Sequence, residues 1–166
     1  MAMSRQFRIC RFRLRHATIS DMSIPNLSRR VAAEFIGTAF LVAAIIGSGI
    51  MGERLASGNL AIALLANTIA TGAALVALIF AFGGVSGAHF NPAVTLMDAL
   101  ERGILWHEVP LYVAAQIFGG LTGVVTAHLM FGQPIISVSQ HARTGGPQVF
   151  SEFIATFGLL DRKSVV

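Results

Sequence analysis

The sequence predicts an all-α membrane protein with three full crossings and one half-length helix that re-enters the bilayer. Three observations carry that prediction. The 166-residue chain is 54% hydrophobic and only 12% charged, with a mean hydropathy of +0.70. An average soluble domain carries about 25% charged residues. Three apolar runs each reach the length needed to cross a bilayer. Between the second and third lies a glycine-rich stretch followed by a helix too short to cross.

Residues 1–30 form a basic segment in which Arg5, Arg8, Arg11, Arg13, Arg15, Arg29 and Arg30 make up seven of the twelve Lys and Arg residues. Arg11, Arg13 and Arg15 alternate with apolar residues at period two, a poor spacing for an amphipathic helix. No uninterrupted apolar stretch of about 7–15 residues occurs here, so it does not read as a secretory signal. Residues 1–28 are expected to be a disordered cytoplasmic tail, and Met22 would also serve as a start. Cys10 is the single cysteine, which excludes an intramolecular disulfide and a cysteine zinc cage. A nucleic-acid protein would spread its basic residues over a folded surface, and here they crowd one end.

The first apolar run, Val31–Met51, has 21 residues and one charge, Glu34. The second, Asn59–Phe82, has 24 residues and no charge, and the third, Val109–Phe131, has 23 and none. Spanning a hydrocarbon core of about 30 Å takes roughly 20 residues. Lipid offers no partner to an exposed backbone group, so each run is predicted to be a helix. The arginines of the tail and Arg102 flank one set of helix ends, and Arg54 and Arg143 the other. The positive-inside rule then puts the N-terminus in the cytoplasm of a multi-pass inner (plasma) membrane protein.

A fourth apolar run begins at Val149 and stops near Leu160, too short to span. The chain then changes character over residues 161–166, which match the translation of a common sequencing adapter and are expected to be an artefactual tail. Residues 33–38, Ala-Glu-Phe-Ile-Gly-Thr, recur as Ser-Glu-Phe-Ile-Ala-Thr at 151–156. Three crossings separate the copies, so the second enters from the opposite side, the sign of an inverted repeat. The shared carboxylate, at Glu34 and Glu152, strengthens the match because an intramembrane charge is costly. The natural protein is therefore expected to continue beyond Leu160.

The chemistry lies at residues 83–102, Gly-Gly-Val-Ser-Gly-Ala-His-Phe-Asn-Pro-Ala-Val-Thr-Leu-Met-Asp-Ala-Leu-Glu-Arg. The glycines permit unusual backbone angles. Asn91 stands where an N-cap belongs, and Pro92 suits the first helical position. A helix from Pro92 to Glu101 would be about 15 Å long, half of the hydrocarbon core. Such a segment survives only where its open carbonyls line a water-filled path. Its N-terminus would project partial positive charge into the membrane and repel cations. The Asn91 amide and the carbonyls of Gly87, Ala88, His89 and Phe90 would pair with neutral hydrogen-bonding solutes.

Ser86-Gly87-Ala88-His89-Phe90-Asn91-Pro92-Ala93-Val94-Thr95 resembles the first signature of the aquaporin and aquaglyceroporin channels, the major intrinsic protein family. Ala33–Thr38 and the repeat at Glu152 support the resemblance, which covers roughly residues 29–160. It implies an aquaporin-like inverted-repeat helical bundle of six spans, two half-helices meeting at paired Asn-Pro-Ala motifs, and a homotetramer. This chain would then be the first half plus the start of a fourth helix. Asn91, Pro92 and Ala93 match the first motif; the second motif and the filter arginine of the family lie beyond these residues. The family's aromatic filter position on the second helix falls at Thr71, followed by Gly72. A small hydroxyl there implies a wider, more polar pore. Polyol channels and bacterial channels associated with arsenite passage fit better than strict water channels. The resemblance also implies that Glu34, and Glu152 in the second half, brace loop amides, and that Gln116 bonds the third helix to the loop.

The remaining residues carry ordinary expectations. The His89 ring is expected to brace loop carbonyls and to hold no metal. Gly119 and Gly123 form a small-residue face for close helix contact. Trp106 and Tyr112 are expected at the interface or in packing, and His107, His128 and His141 at surfaces or interfaces. No cofactor, nucleophile cluster or phosphate loop is expected, so the chain is not expected to be an enzyme. The partners implied are the lipid bilayer and a small neutral solute. The predicted function is passive conduction of water, glycerol-like polyols or arsenite. Two alternatives remain, a secondary transporter with a broken helix and a non-functional truncated product.

Overall fold

A computed structural model of the chain describes residues 25–135 and 145–161. The basic tail up to residue 24, with its arginines, therefore lies outside the described residues. So do Arg143, His141, residues 162–166 of the suspected tail 161–166, and the side chain of Glu152.

Five helices make up the described residues: α1 (Leu27–Leu55), α2 (Leu60–Ser86), α3 (Pro92–Leu100), α4 (Val109–Phe131) and α5 (Gly146–Asp161). No strand occurs among them. Three helices, α1, α2 and α4, are long and apolar enough to cross a membrane, as the apolar runs predict. Asparagine opens three of the five. The Asn26 side chain accepts from Arg29 N, that of Asn59 from Ala61 N and Ile62 N, and that of Asn91 from Ala93 N. Each cap satisfies donors that the first helical turn leaves without partners.

Two boundaries differ from the apolar runs. Helix α1 begins at Leu27, taking in Arg29 and Arg30, because the cap lies at Asn26. Helix α2 continues through Gly83 and Gly84 to Ser86, so the glycines expected to open the loop are helical. In an apolar solvent a helix is kept over glycine, since no water competes for its backbone bonds. The turn comes at Gly87, at φ 88°, whose N–H closes onto Gly83 O at 3.1 Å.

Helix α1 is the centre of the bundle and packs against both α2 and α4, while α3 packs on α4 and α5. The α1–α4 seam depends on Gly119 and Gly123. A Cβ at Gly119 would strike the backbone at Phe35, and one at Gly123 the backbone at Ala39. On the α2 side, a Cβ at Gly52 would press on the Ala63 carbonyl. These helices therefore approach backbone to backbone, the close contact available to small residues in lipid. Large apolar side chains face outward, among them Phe80, Leu60, Met130, Phe40 and Phe118. That distribution suits a lipid solvent and would be untenable in water.

The segment from Gly87 to Glu108 leaves the bundle and returns at the same end. The Tyr112 hydroxyl, near the start of α4, donates to Ser86 O at the end of α2 at 3.1 Å. Arg30, near the start of α1, reaches both Tyr112 Oη and Glu108. So the C-terminal end of α2 and the N-terminal ends of α1 and α4 share one level. From there Phe90 inserts against Gly37, about 15 Å along α1 from its start at 1.5 Å per residue. Helix α3 then runs back outward, and its Ala99 packs with Ile104, Val109 and Tyr112.

Candidate functional site

Five consecutive non-helical residues, Gly87–Asn91, join α2 to α3. Gly87, Ala88 and Phe90 all adopt positive φ, at 88°, 49° and 51°. For L-residues this conformation costs about 1–2 kcal/mol each. Something must hold the loop there, and the Glu34 carboxylate does so.

Glu34 is fully buried, at 0% exposure, yet both of its oxygens are saturated. Oε1 accepts from Ser86 Oγ at 2.6 Å and from His89 N at 3.0 Å. Oε2 accepts from Phe90 N at 2.8 Å and from Gln116 Nε2 at 2.8 Å. Thus one side chain from α1 ties together the end of α2, two loop amides and α4. A buried ionised carboxylate is tolerable only when hydrogen-bonded in this way. Ser86 Oγ also accepts from Ala88 N at 3.1 Å, so three successive loop amides, at 88, 89 and 90, are satisfied by side chains.

A second layer fixes α3. Gln116 Nε2 also donates to Thr95 Oγ1 at 2.9 Å. The His89 ring places Nδ1 3.0 Å from Thr95 Oγ1 and Nε2 3.3 Å from Asp98 Oδ2. These partners are side-chain oxygens on α3, where loop carbonyls were the expectation. The physical reason is the loop's reversal, which lays His89 over the first turns of α3. The ring thereby locks the loop to the helix that follows it. No group of three or more metal-ligating residues occurs among the described residues.

Asn91 is half-buried and caps α3 through Oδ1, 2.9 Å from Ala93 N. Its Nδ2 carries no hydrogen bond among the described residues, so the donor half of the amide is unused. Pro92 occupies the first helical position and is exposed, Ala93 is half-buried, and Gly87 is exposed. Ala88, His89 and Phe90 are buried. The loop therefore shows one face to the bundle and one face outward.

Thr71 lies apart from this cluster, on the face of α2 toward α1. Its Oγ1 donates to Asn67 Oδ1 at 3.3 Å. The structure thus brings Glu34, Gln116 and residues 87–93 together and leaves Thr71 in a separate polar group.

Several residues hold the site in ways that local sequence does not show. Gly37 provides the notch for the Phe90 ring, where any Cβ would collide. Tyr112 is fully buried and bonded at both ends of its hydroxyl, so of the two expected placements, interface or packing, it takes packing. Arg30 and Glu108 form an ion pair at 3.1 Å. Their signal was available, since opposite charges begin two spans whose starts share one side. His128, expected at a surface or an interface, is half-buried and lines a cavity with Glu53, Arg54 and Gln133. His107 and Trp106 are exposed.

Comparison with known proteins agrees with this geometry. The chain is 50% identical over 135 residues to "Aquaglyceroporin AqpS" of Rhizobium meliloti (strain 1021), covering 81% of this chain and 58% of that protein. It is 40% identical over 110 residues to "Aquaporin NIP1-1" of Oryza sativa subsp. japonica, covering 66% and 37%. "Aquaporin NIP3-1" of the same plant is 33% identical over 157 residues, covering 87% and 47%. The chain thus spans about half the length of the curated relatives it matches. The family model described as "Major intrinsic protein" matches residues 21–162, and with the re-entrant loop and its bracing carboxylate in place, the chain belongs to the major intrinsic protein family.

Proposed function

We propose that this chain supplies half of a membrane channel through which small uncharged solutes pass passively, with glycerol-like polyols preferred to water alone and arsenite as a further solute. The observation that carries the reading is the Gly87–Asn91 loop. It is held in a strained conformation by a saturated buried carboxylate, and the Asn91 amide is left with an unused donor at the start of a half-helix. A donor at a helix N-terminus favours neutral or partly negative solute atoms and disfavours cations. Loop carbonyls beside it would accept from the same solute. The name of the 50% identical relative, an aquaglyceroporin, supports the polyol preference, as does the small hydroxyl of Thr71.

In this reading the second half of the pore comes from an inverted repeat that begins at α5, with Glu152 in the place of Glu34. The working assembly is a homotetramer in the plasma membrane with its N-terminus in the cytoplasm. Conduction needs no covalent step and no cofactor. A secondary transporter would need an ion-coupling carboxylate, and Glu34, already accepting four hydrogen bonds, is poorly suited to that task.

The test is stopped-flow light scattering on vesicles carrying this chain co-expressed with the complementary second half of the Rhizobium meliloti relative. Glycerol flux should rise linearly with concentration and should not depend on any ion gradient. Saturation at low concentration, or dependence on a proton or sodium gradient, would instead indicate a carrier.

A further inference from the structure

An apolar groove runs between α1 and α4 on the outer surface of the bundle. Two cavities, of about 810 and 230 Å³, meet in it at Phe35 and Ile36. Ser28, Ala32, Ile36 and Phe40 form its α1 wall, four residues apart and so on one helix face. Glu34 stands two residues from Ala32, about 200° round the helix. The groove is therefore on the far side of α1 from the loop and its carboxylate. Ile36, Phe40 and Phe118, all exposed, line it.

Along α1 the groove extends from Leu27 to Ala43, about 24 Å at 1.5 Å per residue. One leaflet with its headgroups is about 20–22 Å deep, half of the full bilayer. The two hydroxyls on the α4 wall, of Thr122 and Thr126, donate to Phe118 O and Thr122 O of their own helix, each at 2.8 Å. They need no partner from an occupant, so the wall suits a hydrocarbon chain. The mouth is different. Ser28 is exposed there, and Arg29 follows it, three residues before Ala32 and seven before Ile36 on the same side of α1. Side chains tilt toward the start of their helix, so Arg29 leans toward the membrane surface. Its guanidinium makes no hydrogen bond or ion pair among the described residues, whereas Arg30 is held by Tyr112 and Glu108. A trough about one leaflet deep thus opens beside a cation.

We propose that this groove binds an anionic phospholipid, with one acyl chain along α1 and α4 and the phosphate against Arg29 and the Ser28 hydroxyl. The inference stands on the chain's place in the membrane and is independent of which solute passes. A zwitterionic lipid has the same acyl chain but brings its own cation to the mouth. The Arg29 charge therefore favours a headgroup of net negative charge.

The experiment uses the full chain in phosphatidylcholine vesicles, with Trp106→Phe and Phe118→Trp moving the single tryptophan to the groove wall. Quenching of its fluorescence by brominated phosphatidylglycerol is compared with quenching by brominated phosphatidylcholine. Phosphatidylglycerol should associate about threefold to fivefold more strongly, the effect of one cation at a membrane surface. Adding Arg29→Gln should lower that preference by about the same factor. Arg102→Gln, at an exposed position near the same end of the bundle, should leave it unchanged. Ala32→Phe, which fills the groove, should reduce the preference with Arg29 still in place. Equal association of the two lipids, or a preference that Arg29→Gln and Arg102→Gln change alike, overturns the inference. A tryptophan that neither lipid quenches also overturns it, because the groove is then covered by protein, from a second copy or from another segment of the chain. The channel reading is decided separately, by the flux measurement.

Discussion

Glu34 is the residue on which the loop depends. Its two oxygens accept from one hydroxyl, two backbone amides and one side-chain amide. Glu34→Gln turns one oxygen into a donor, leaving two of those four groups facing an NH₂. Hydrogen bonds to charged groups contribute about 1.5–3 kcal/mol each, so the expected loss exceeds about 3 kcal/mol. Equilibrium unfolding in mixed micelles measures it, and an unchanged midpoint would show that the loop is held by something else. Gly37→Val acts on the same loop by shape, because its Cβ would occupy the space of the Phe90 ring. Hydrogen exchange at the His89 and Phe90 amides should speed up in this variant, while the amides in the middle of α2 keep their protection. The importance of Glu34 was legible in the sequence, because a lone carboxylate in an apolar run demands partners. The partners themselves, Ser86 and Gln116, lie 52 and 82 residues away in the chain, and no local pattern joins them.

Among the elements, α1 carries the architecture, with α2 on one flank and α4 on the other. The α1–α4 seam is set by glycine, and a side chain there meets backbone that cannot yield. Gly119→Val and Gly123→Val should each destabilise by about 1–3 kcal/mol through overpacking. Gly120→Val, whose Cβ would only touch Val42 at 3.9 Å, is the control expected near zero. Unfolding midpoints of the three variants decide the matter, and equal shifts for all three would refute the seam. The spacing of Gly119 and Gly123 marked a contact face, but it did not say which helix would lie against it. The span lengths were legible to within four residues at each end. The errors had a local cause, since Asn26 and Gly87 set the ends of α1 and α2 by capping, whereas apolar runs mark only where lipid contact stops.

For the whole molecule, the decisive feature is that residues 87–108 start and finish at the same end of the bundle. Tyr112 bonded to Ser86 O, and Arg30 bonded to both Tyr112 and Glu108, fix that relation. Single cysteines in a Cys10→Ser background test it in sealed vesicles. Arg29→Cys, Arg102→Cys and His107→Cys, all at exposed positions, should react with an impermeant maleimide from one face of the membrane. Ser57→Cys, in the exposed turn between α1 and α2, should react from the other. Labelling of Arg29 and His107 from opposite faces would contradict the structure. By itself the sequence determined the solvent, the number of crossings, and the half-helix with its Asn91 cap and Pro92 start. Each of these follows from residue type and spacing along the chain, because length against bilayer thickness and capping against helix ends are local matters. Only the tertiary structure decided which amides Glu34 meets, those of His89 and Phe90, that Phe90 lies in the notch of Gly37, and that the His89 ring turns to Thr95 and Asp98. It also set Tyr112 in the interior. Those relations depend on how helices rotate and cross, and backbone contact at a few glycines fixes that geometry from far away in the chain.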